Sequence, residues 1–348
     1  MNTYPAVPSK FIAWLTINRG CQLRCNWCYA QDSGFNSKMS NETLEKSIQI
    51  LTELNVKEVC LIGGEPTIDP RFLEIVRMLV SSNFYVSVVT NGIKFSDVQF
   101  VKQTIQAGVR NVVVSLKDTG REAYIESTHR DVFGDVLLGL KNLDVMSQSD
   151  RVKFNLSVTL CGGMTSRIDE LLDTIRLSGV RKVTFDTERP IVDGCDIRYD
   201  GLAPKQIIDL LVDNYEKIDS LRKSGVEYSI YVTHPHCLFP RGFMQKHEES
   251  GRLVSGCQIQ RGSGIIIDER GKILPCNHFC GNELGDIKEF RSGNDYIAWR
   301  NCESIMKFYK SVSSYPSAQC SVCERWEKCG SGCRINWLKF DESEMIRK

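Results

Sequence analysis

Residues 20–29 read GCQLRCNWCY and contain three cysteines, Cys21, Cys25 and Cys28, at C-x3-C-x2-C spacing. An apolar run at residues 11–17, typical of a β-strand, comes just before them. Structural zinc takes four ligands, usually from paired C-x2-C knuckles, and no second half lies nearby. Three thiolates can instead hold three irons of a [4Fe–4S] cluster, which needs four ligands for complete protein ligation. The spacing therefore favours a cluster with one iron open to a small molecule.

Size and charge narrow the class of protein. The chain has 348 residues, enough for a large core and one or two domains, and its formal net charge is +1. This balance argues against a nucleic-acid or membrane surface. Residues 1–10 lack the apolar core of a signal peptide, and no apolar run approaches the roughly 20 residues that span a bilayer. We therefore expect a cytoplasmic protein without nucleic-acid or membrane partners.

The cysteine count points to metal ligation. Fifteen cysteines are many for a cytoplasmic chain, in which disulfides are disfavoured. Three lie at residues 21–28 and eight lie between residues 257 and 333. The other four are scattered: Cys60, Cys161, Cys195 and Cys237. Cys60 falls inside a predicted strand, where a buried packing thiol is expected.

From residue 11 to about residue 225, β-branched apolar runs alternate with helical patterns. The predicted strands are residues 11–17, 56–62, 84–90, 109–116, 153–160 and 181–186. The predicted helices are residues 40–54, 70–80, 97–107, 133–146, 166–177 and 204–223. Such βα units predict an α/β fold with a parallel sheet, either an open doubly wound sheet or an incomplete barrel. In both, the chemistry gathers at the C-terminal ends of the strands.

Polar and glycine residues follow the next three predicted strands. The second is followed by Gly63-Gly64-Glu65-Pro66, where paired glycines let the backbone approach a ligand, although a tight turn alone would also explain them. The third ends at Asn91, and the fourth at Ser115 to Asp118. We expect these groups to face one opening together with the three cysteines.

The cysteine motif after the first strand and Gly63–Pro66 after the second, in this order, resemble the radical S-adenosylmethionine (SAM) enzymes over about residues 10–225. The resemblance implies a partial (β/α)6 TIM-like barrel and a [4Fe–4S] cluster whose open iron chelates the amino and carboxylate groups of SAM. It also implies a 5′-deoxyadenosyl radical that takes hydrogen from the substrate, and a flavodoxin- or ferredoxin-type reductant. The residues it assigns to the cofactor are Trp27 beside adenine, Gly63, Gly64, Glu65 and Pro66 at the methionine amino group, and Asn91, Ser115 and Arg130 around them.

A second cysteine array begins at Cys257 and continues with Cys276. It ends in Cys320-x2-Cys323-x5-Cys329-x3-Cys333. Residues 264–268 and 272–274 flank a glycine turn and predict a β-hairpin inside the array. The spacing alone predicts a metal domain with either zinc knuckles or further Fe–S clusters.

The array resembles the SPASM extension of radical SAM enzymes over about residues 251–340. The resemblance implies a small cysteine-rich α+β domain with one or two auxiliary [4Fe–4S] clusters. By the family pattern, Cys257, Cys276 and Cys333 share the first cluster, and Cys320, Cys323 and Cys329 share the second. The final cysteine of the pattern is missing here and position 263 is serine, so Cys280 or Cys302 could supply a ligand. The implied domains are residues 1–225, a connector at 226–250, and residues 251–348.

Three sequence features bear on the reaction. The barrel begins about ten residues into the chain, so a peptide substrate would need a separate leader-binding protein or direct capture by the barrel. Asn277 stands where sulfatase-maturing members carry a base aspartate, and an amide is no useful base. Cys161, Cys195 and Cys237 each follow a predicted strand and are candidates to return hydrogen to a substrate radical, although ordinary packing would also explain them.

We therefore expect a radical SAM/SPASM enzyme that crosslinks, oxidises or epimerises a peptide in the maturation of ribosomally made peptides. The alternative is oxidation or epimerisation of a sugar or aminocyclitol. A third hypothesis, a non-catalytic metal-binding protein, leaves the Gly63–Pro66 turn without a role. In the connector, His234 and His236 have no further ligand in view, and we expect exposed loop histidines rather than a metal site.

Overall fold

The structure is a computed structural model that describes residues 11–30, 36–149, 152–257 and 262–347. The prediction for residues 1–10 falls outside the described residues. Within them, no helix combines the length and the apolar character needed to cross a membrane.

Parallel strands form the predicted sheet. They are β1 (Ile12–Thr16), β2 (Glu58–Ile62), β3 (Tyr85–Thr90), β4 (Val109–Leu116), β5 (Lys153–Leu160) and β6 (Lys182–Thr187). All begin and end close to the predicted bounds, because each is a β-branched apolar run between turn residues. Side chains such as Leu15, Leu61 and Val88 are fully buried, as expected for a sheet covered on both faces.

The strand order decides between the two predicted architectures. The six strands pair in chain order, from β1 beside β2 through to β5 beside β6. A doubly wound sheet reverses its order at a switch point, whereas a barrel adds strands in one direction. The unbroken order therefore confirms the partial barrel. Its C-terminal strand ends all lie at one rim.

Helices connect these strands. They are α1 (Asn41–Glu53), α2 (Phe72–Ser81), α3 (Val98–Ala107), α4 (Arg121–Thr128), α5 (Phe133–Ser149) and α6 (Ile168–Leu177). Their apolar faces and the sheet share one core cluster. Ser40 caps α1 by accepting a hydrogen bond from the amide of Thr43. The sequence prediction missed α4, because the run REAYIEST is too polar to show a helical apolar period.

The single long helix predicted over residues 204–223 is wrong. The chain forms α7 (Pro204–Asp213), α8 (Tyr215–Asp219) and a 3₁₀ turn (Ser220–Ser224). Asn214 leaves the helical region with φ −106° and ψ 5°. Its Nδ2 donates to the carbonyl oxygen of Leu210 at 2.9 Å, and such local bonds compete with helix continuation. Apolar periodicity does not register this break.

Residues beyond 225 extend both edges of the same sheet. On one side, β9 (Glu227–Val232) pairs with β6, and β10 (Leu253–Ser255) pairs with β9, both parallel. On the other side, β11 (Gly264–Ile267) pairs parallel with β1 and antiparallel with β12 (Lys272–Leu274), which confirms the predicted hairpin. The predicted domain boundaries at residues 225 and 250 stay a prediction. Strands from all three predicted segments belong to one sheet.

The remaining elements are a small sheet, one further strand and seven α-helices in the described part of the chain. A small sheet contains β7 (Ile191–Asp193), β8 (Asp196–Arg198) and β13 (Phe279–Cys280), while β14 (Gly285–Asp286) pairs with β12. The other helices are α9 (Phe243–Glu248), α10 (Gly293–Arg300), α11 (Glu303–Ser313), α12 (Ala318–Ser321), α13 (Trp326–Cys329), α14 (Asn336–Lys339) and α15 (Glu342–Met345).

A buried ion pair joins the loop after β1 to the β11–β12 hairpin. Arg19 Nε donates to Glu269 Oε2 at 2.7 Å, and each side chain is 5% exposed. Ser37 Oγ donates to the other carboxylate oxygen of Glu269 at 3.0 Å. These bonds fix the three-cysteine loop against a hairpin that is 250 residues away in sequence.

Arg19→Met is expected to lower the free energy of unfolding by about 3 kcal/mol, because the buried Glu269 carboxylate would lose its partner at 2.7 Å and retain Arg270 at 4.0 Å. Arg19→Met/Glu269→Leu should recover most of that loss. Denaturant unfolding of the metal-free chains measures both. Lys205→Met is the control, since its pair with Asp209 is exposed and such pairs contribute under about 1 kcal/mol. Equal losses in the single and double variants would contradict a charge-burial effect.

Candidate functional site

The three cysteines of the β1 loop differ in exposure but share backbone support. Cys25 is buried, while Cys21 and Cys28 are half-buried. The amide of Leu23 donates to Cys21 Sγ and the amide of Ala30 donates to Cys28 Sγ, both at 3.4 Å. Hydrogen bonds to sulfur stabilise thiolate ligands and tune clusters.

Helix α4 supports the middle of this loop. Its last turn leaves carbonyl groups without helical partners. The amide of Arg24 donates to the carbonyl of Thr128 at 3.0 Å, and the amide of Asn26 donates to that of Ser127 at 3.1 Å. The helix that sequence reasoning missed therefore holds the loop in place.

The Gly63-Gly64 turn lies directly against the backbone at residues 18–20. The amide of Gly64 donates to the carbonyl of Asn18 at 2.9 Å. A Cβ on Gly63 would lie 2.5 Å from the Asn18 oxygen, and one on Gly64 would lie 2.2 Å from the Gly20 oxygen. Only glycine allows this approach. The paired glycines thus serve the contact between two main chains as well as any ligand.

Glu65 links the ends of β2 and β3. Its buried carboxylate accepts hydrogen bonds from the amide and hydroxyl of Thr67, the hydroxyl of Thr90 and the amide of Asn91. Burial raises the pKa of Glu65, and these hydrogen bonds oppose that shift. The carboxylate of Glu65 is therefore already hydrogen-bonded within the protein.

Two more predicted residues, Asn91 and Ser115, lie at the rim with Lys117, to which the sequence motifs assign no role. Asn91 Nδ2 donates to Gln22 Oε1 at 3.1 Å and lies 3.9 Å from Cys21 Sγ. Lys117 Nζ donates to Ser115 Oγ at 2.7 Å. Burial raises the pKa of the Cys21 thiol to about 11, while the Lys117 charge lowers it. Lys117 therefore favours the thiolate form of Cys21.

Trp27 lies within the cysteine loop, and Arg130 lies beside it. Arg130 Nε donates to the carbonyl oxygen of Gln22 at 3.1 Å, so this side chain binds the loop backbone. Trp27 lines a cavity of about 290 Å³ whose wall also contains Cys161, Glu188 and Asp200. The predicted adenine-side residue thus borders an open space beside the cysteine loop.

Cys161 and Glu188 form a pair in that cavity wall. Burial, followed by the Asp200 carboxylate, raises the pKa of Glu188 to about 7, and the nearby Cys161 thiol opposes this shift. Burial, followed by the charges of Glu188 and Asp118, raises the pKa of Cys161 to about 12. The thiol therefore keeps its proton and hydrogen atom at neutral pH. Glu188 has no motif in the sequence that would have identified it.

The other candidate hydrogen donors lie elsewhere. Cys195 is exposed in the turn between β7 and β8, and Cys237 is exposed in a 3₁₀ turn after β9. Neither belongs to the lining of the cavity beside Trp27. Cys60 is buried within β2, as predicted.

Three cysteines of the second array share one environment with Arg189. Burial raises the pKa of Cys276 to about 12; the thiols of Cys333 and Cys257 add to this, and Arg189 opposes it. Burial also raises the pKa of Cys333, again opposed by Arg189 and reinforced by Cys257. The structure thus brings the predicted first auxiliary group together, with an arginine that sequence reasoning did not identify.

Cys320, Cys323 and Cys329 form a second group. Burial, followed by neighbouring thiols that include Cys329 and Cys323, raises the pKa of Cys320. Burial lowers the pKa of Arg334, whereas the thiols of Cys320, Cys257 and Cys333 raise it. Arg334 therefore lies near both cysteine groups.

The two suggested substitute ligands have other contacts. Cys280 Sγ donates to the carbonyl oxygen of Tyr29 at 3.3 Å, and Cys302 Sγ lies 3.2 Å from Ser304 Oγ. Across the described ranges, no three Cys, His, Asp or Glu side chains converge on a position for a single metal ion. A cluster does not require such convergence, because each thiolate binds a different iron.

The expectation that His234 and His236 are exposed is wrong. They are 1% and 6% exposed. His234 Nε2 lies 3.2 Å from Asn336 Nδ2, and His236 Nε2 lies 2.6 Å from Ser255 Oγ. Burial is the main reason that the pKa of His236 falls to about 4. Residues far along the chain cover both rings, which local composition does not predict.

Comparison with known proteins agrees with this geometry. The Radical SAM superfamily model matches residues 15–175. A probable GTP 3′,8-cyclase of Methanothermobacter marburgensis is 30% identical over 308 residues, 81% of this chain and 88% of that protein. A probable GTP 3′,8-cyclase of Thermococcus kodakarensis is 30% identical over 146 residues, 41% of this chain. The chain spans about half the length of this relative and of the Pyrococcus horikoshii and Pyrococcus abyssi relatives it matches.

Solved structures share the fold. The structure of anSMEcpe with bound AdoMet gives a TM-score of 0.71 at 17% identity and covers 97% of this chain and 93% of that one. Streptococcus suis SuiB bound to S-adenosylmethionine gives a TM-score of 0.68 at 16% identity, covering 99% and 77%.

This chain belongs to the radical SAM superfamily. The family implies a [4Fe–4S] cluster that binds SAM, and the β1 loop fits such a cluster. Cys21, Cys25 and Cys28 would supply the thiolates, and amide groups already point at the sulfurs of Cys21 and Cys28. The nearby charge of Lys117 also favours the thiolates of Cys21 and Cys25.

Gly64→Ala is expected to lower SAM cleavage about a hundredfold, because the new Cβ forces the backbone at Gly20 away from its position beside Cys21. The measurement is 5′-deoxyadenosine formed by the anaerobically reconstituted, reduced enzyme, together with its iron content. Gly134→Ala in α5 is the matched control, since a Cβ there meets no atom within 4 Å. Wild-type cleavage by Gly64→Ala would show that the close approach is dispensable.

Glu188→Gln is expected to change how stability depends on pH. The folded-state pKa of about 7 exceeds the ordinary 4.5, so the folded chain holds the extra proton between these values and loses stability as pH rises through them. The variant should be more stable than wild type by about 1–2 kcal/mol near pH 8 and equal to it near pH 4. Anaerobic thermal melts at both pH values measure this. Glu126→Gln, at an exposed position on the same cavity, is the control, and a pH-independent difference would contradict the assignment.

Proposed function

We propose that this radical SAM enzyme abstracts a hydrogen atom from a peptide residue and that Cys161 returns one, so that the residue is epimerised. The observation that carries the proposal is the position of Cys161, whose protonated thiol lines the same cavity as Trp27 beside the cysteine loop. Crosslinking and oxidation need no such donor. The sequence does not distinguish Cys161, Cys195 and Cys237, whereas burial in the cavity wall favours Cys161.

The chain's own residues account for the return step. When bound, the cluster and SAM supply a 5′-deoxyadenosyl radical that takes hydrogen from the substrate carbon. The S–H bond of Cys161 then breaks, a C–H bond forms on the substrate, and the sulfur is left as a thiyl radical. One electron from a flavodoxin- or ferredoxin-type reductant and one proton restore the thiol. Glu188, which lines the same cavity as Cys161 and has a pKa of about 7, is suited to deliver that proton.

The charges in the cavity wall indicate which substrates would fit. Among the described residues that line the cavity, the carboxylates are Asp118, Glu126, Glu188 and Asp200, against one arginine, Arg167, which is paired with Asp118. An acidic cleft favours neutral or cationic groups. Peptides offer both, as would an aminocyclitol. Two neighbours in fold, anSMEcpe and SuiB, have been solved with bound peptides, which supports the peptide alternative.

The cysteine-rich part fits a SPASM-type role. Cys257, Cys276 and Cys333 would hold one auxiliary cluster beside Arg189, and Cys320, Cys323 and Cys329 would contribute to another. Cations near the sulfurs offset the negative charge of clustered thiolates. Arg189 and Arg334 supply such charges.

Cyclisation of GTP is a second candidate. It is favoured by the Methanothermobacter relative, a probable GTP 3′,8-cyclase that matches over most of its length. Arg189 and Arg198 line a neighbouring cavity of about 340 Å³ and could contact phosphate. The carboxylates beside Cys161 oppose a polyanion, so the peptide proposal stands first.

The test compares substrates in deuterated buffer. Reconstituted enzyme, SAM and a reductant are supplied with peptides encoded by neighbouring genes, with an aminocyclitol, or with GTP. We expect 5′-deoxyadenosine and deuterium uptake with a peptide, since the thiol of Cys161 exchanges with solvent. Cys161→Ala should still form 5′-deoxyadenosine but abolish uptake.

Cys195→Ala is the matched comparison, because this cysteine also follows a strand but lies outside the cavity. Loss of uptake in Cys195→Ala alone would overturn the role of Cys161. Turnover of GTP without turnover of any peptide would establish the second candidate instead. Loss of two mass units from the peptide would indicate oxidation or crosslinking.

A further inference from the structure

Cys237 lies beside the second cysteine group rather than beside the proposed substrate cavity. It occupies the 3₁₀ turn His236–Leu238 that follows β9. The amide of His236 donates to Cys329 Sγ at 3.3 Å, although these two residues are 93 positions apart in sequence. The turn that carries Cys237 therefore contacts a sulfur of the Cys320–Cys333 array directly.

The main chain fixes this arrangement. The carbonyl oxygen of Thr233 accepts hydrogen bonds from the amide of Cys333 at 2.7 Å and from Asn336 Nδ2 at 3.1 Å. Gly332 has φ +71°, and a Cβ on it would lie 2.5 Å from the Thr233 oxygen. The end of β9 and the end of the array are thus in backbone contact, which sets the position of the turn.

The thiol groups also influence one another. The residue before Cys237 contacts Cys329 Sγ through its amide. The electrostatic surroundings of both Cys320 and Cys329 include the thiols of Cys237 and Cys323. Four thiols therefore occupy one neighbourhood, and only three of them belong to the sequence motif.

Packing does not explain Cys237. Its side chain is exposed, as is that of Cys323, so neither thiol fills the core. The spacing pattern leaves the second group one thiolate short. Cys280 and Cys302, the substitutes suggested by sequence, contact Tyr29 and Ser304 instead.

We propose that Cys237 is the fourth ligand of the second auxiliary cluster, with Cys320, Cys323 and Cys329. The inference rests on the auxiliary clusters of the proposed function. Four thiolates saturate a [4Fe–4S] cluster, so this site has no open iron for substrate and serves electron transfer. Cys237 is correspondingly removed from the candidate hydrogen donors.

Iron counting tests the ligand. The background chain is Cys21→Ala/Cys25→Ala/Cys28→Ala, reconstituted anaerobically, which should hold about eight irons. Adding Cys237→Ser is expected to lower this to about four, or to about seven if a three-iron cluster survives on the other thiolates. Adding Cys195→Ser, at a similarly exposed cysteine, should change nothing. Unchanged iron with Cys237→Ser, together with modification of Cys237 by iodoacetamide in the otherwise unaltered iron-loaded chain, would overturn the inference while leaving the auxiliary clusters standing.

Two further outcomes test the auxiliary clusters themselves. A background chain without iron would overturn the auxiliary clusters and the inference together. A background chain with about four irons that depend on Cys276 but not on Cys320 would remove the second cluster alone, and with it the role of Cys237.

Thiol alkylation gives an independent readout on the unaltered chain. In the reconstituted enzyme, iodoacetamide should modify Cys195 and spare Cys237, although both side chains are exposed. After iron is removed with a chelator, both should react. Equal modification of the two cysteines in the iron-loaded enzyme would contradict ligation by Cys237.

Discussion

The contact between two main chains, residues 18–20 after β1 and residues 63–65 after β2, is the constraint on which the site depends. The amide of Glu65 donates to the carbonyl of Gly20 at 2.6 Å, immediately before Cys21. The Glu65 carboxylate in turn accepts hydrogen bonds from Thr90 and Asn91 at the end of β3. These hydrogen bonds hold the ends of β1, β2 and β3 together, so the barrel determines where the thiols lie. Chemistry that tolerates little misplacement needs such a rigid base.

Consecutive residues at the end of β6 serve two different regions. Glu188 lines the acidic cavity with Cys161, whereas Arg189 acts on the thiols of Cys276 and Cys333. Carboxylates thus line the cavity that contains Cys161, while Arg189 and Arg334 lie near sulfurs of the second array. Glu188 and Arg189 also line one neighbouring cavity together, so opposite charges meet there over one peptide bond.

The sequence predicted the strands β1 to β6 well, because each depends on a local signal, whereas the choice between a barrel and an open sheet depended on the strand order. Apolar runs marked β1 to β6, and the spacing of Cys21, Cys25 and Cys28 marked the loop. The break at Asn214, the burial of His234 and the pairing of Cys161 with Glu188 escaped prediction. Each depends on a side-chain bond or on a contact distant in sequence, and periodicity carries no information about either. Cys237 is the clearest case, since no spacing rule connects it to Cys329.

The pairing of β1 with β11 has a consequence for how the chain is made. Ile12 to Leu15 pair with Gly264 to Ile267, so one edge of β1 has no neighbour until most of the polypeptide has left the ribosome. An open edge of this kind invites wrong pairing, and contacts between distant segments form slowly. Arg19 likewise cannot form its ion pair until Glu269 has been synthesised. We therefore expect metal loading of the nascent enzyme to follow the completion of synthesis, and chaperone protection to matter most before the hairpin emerges.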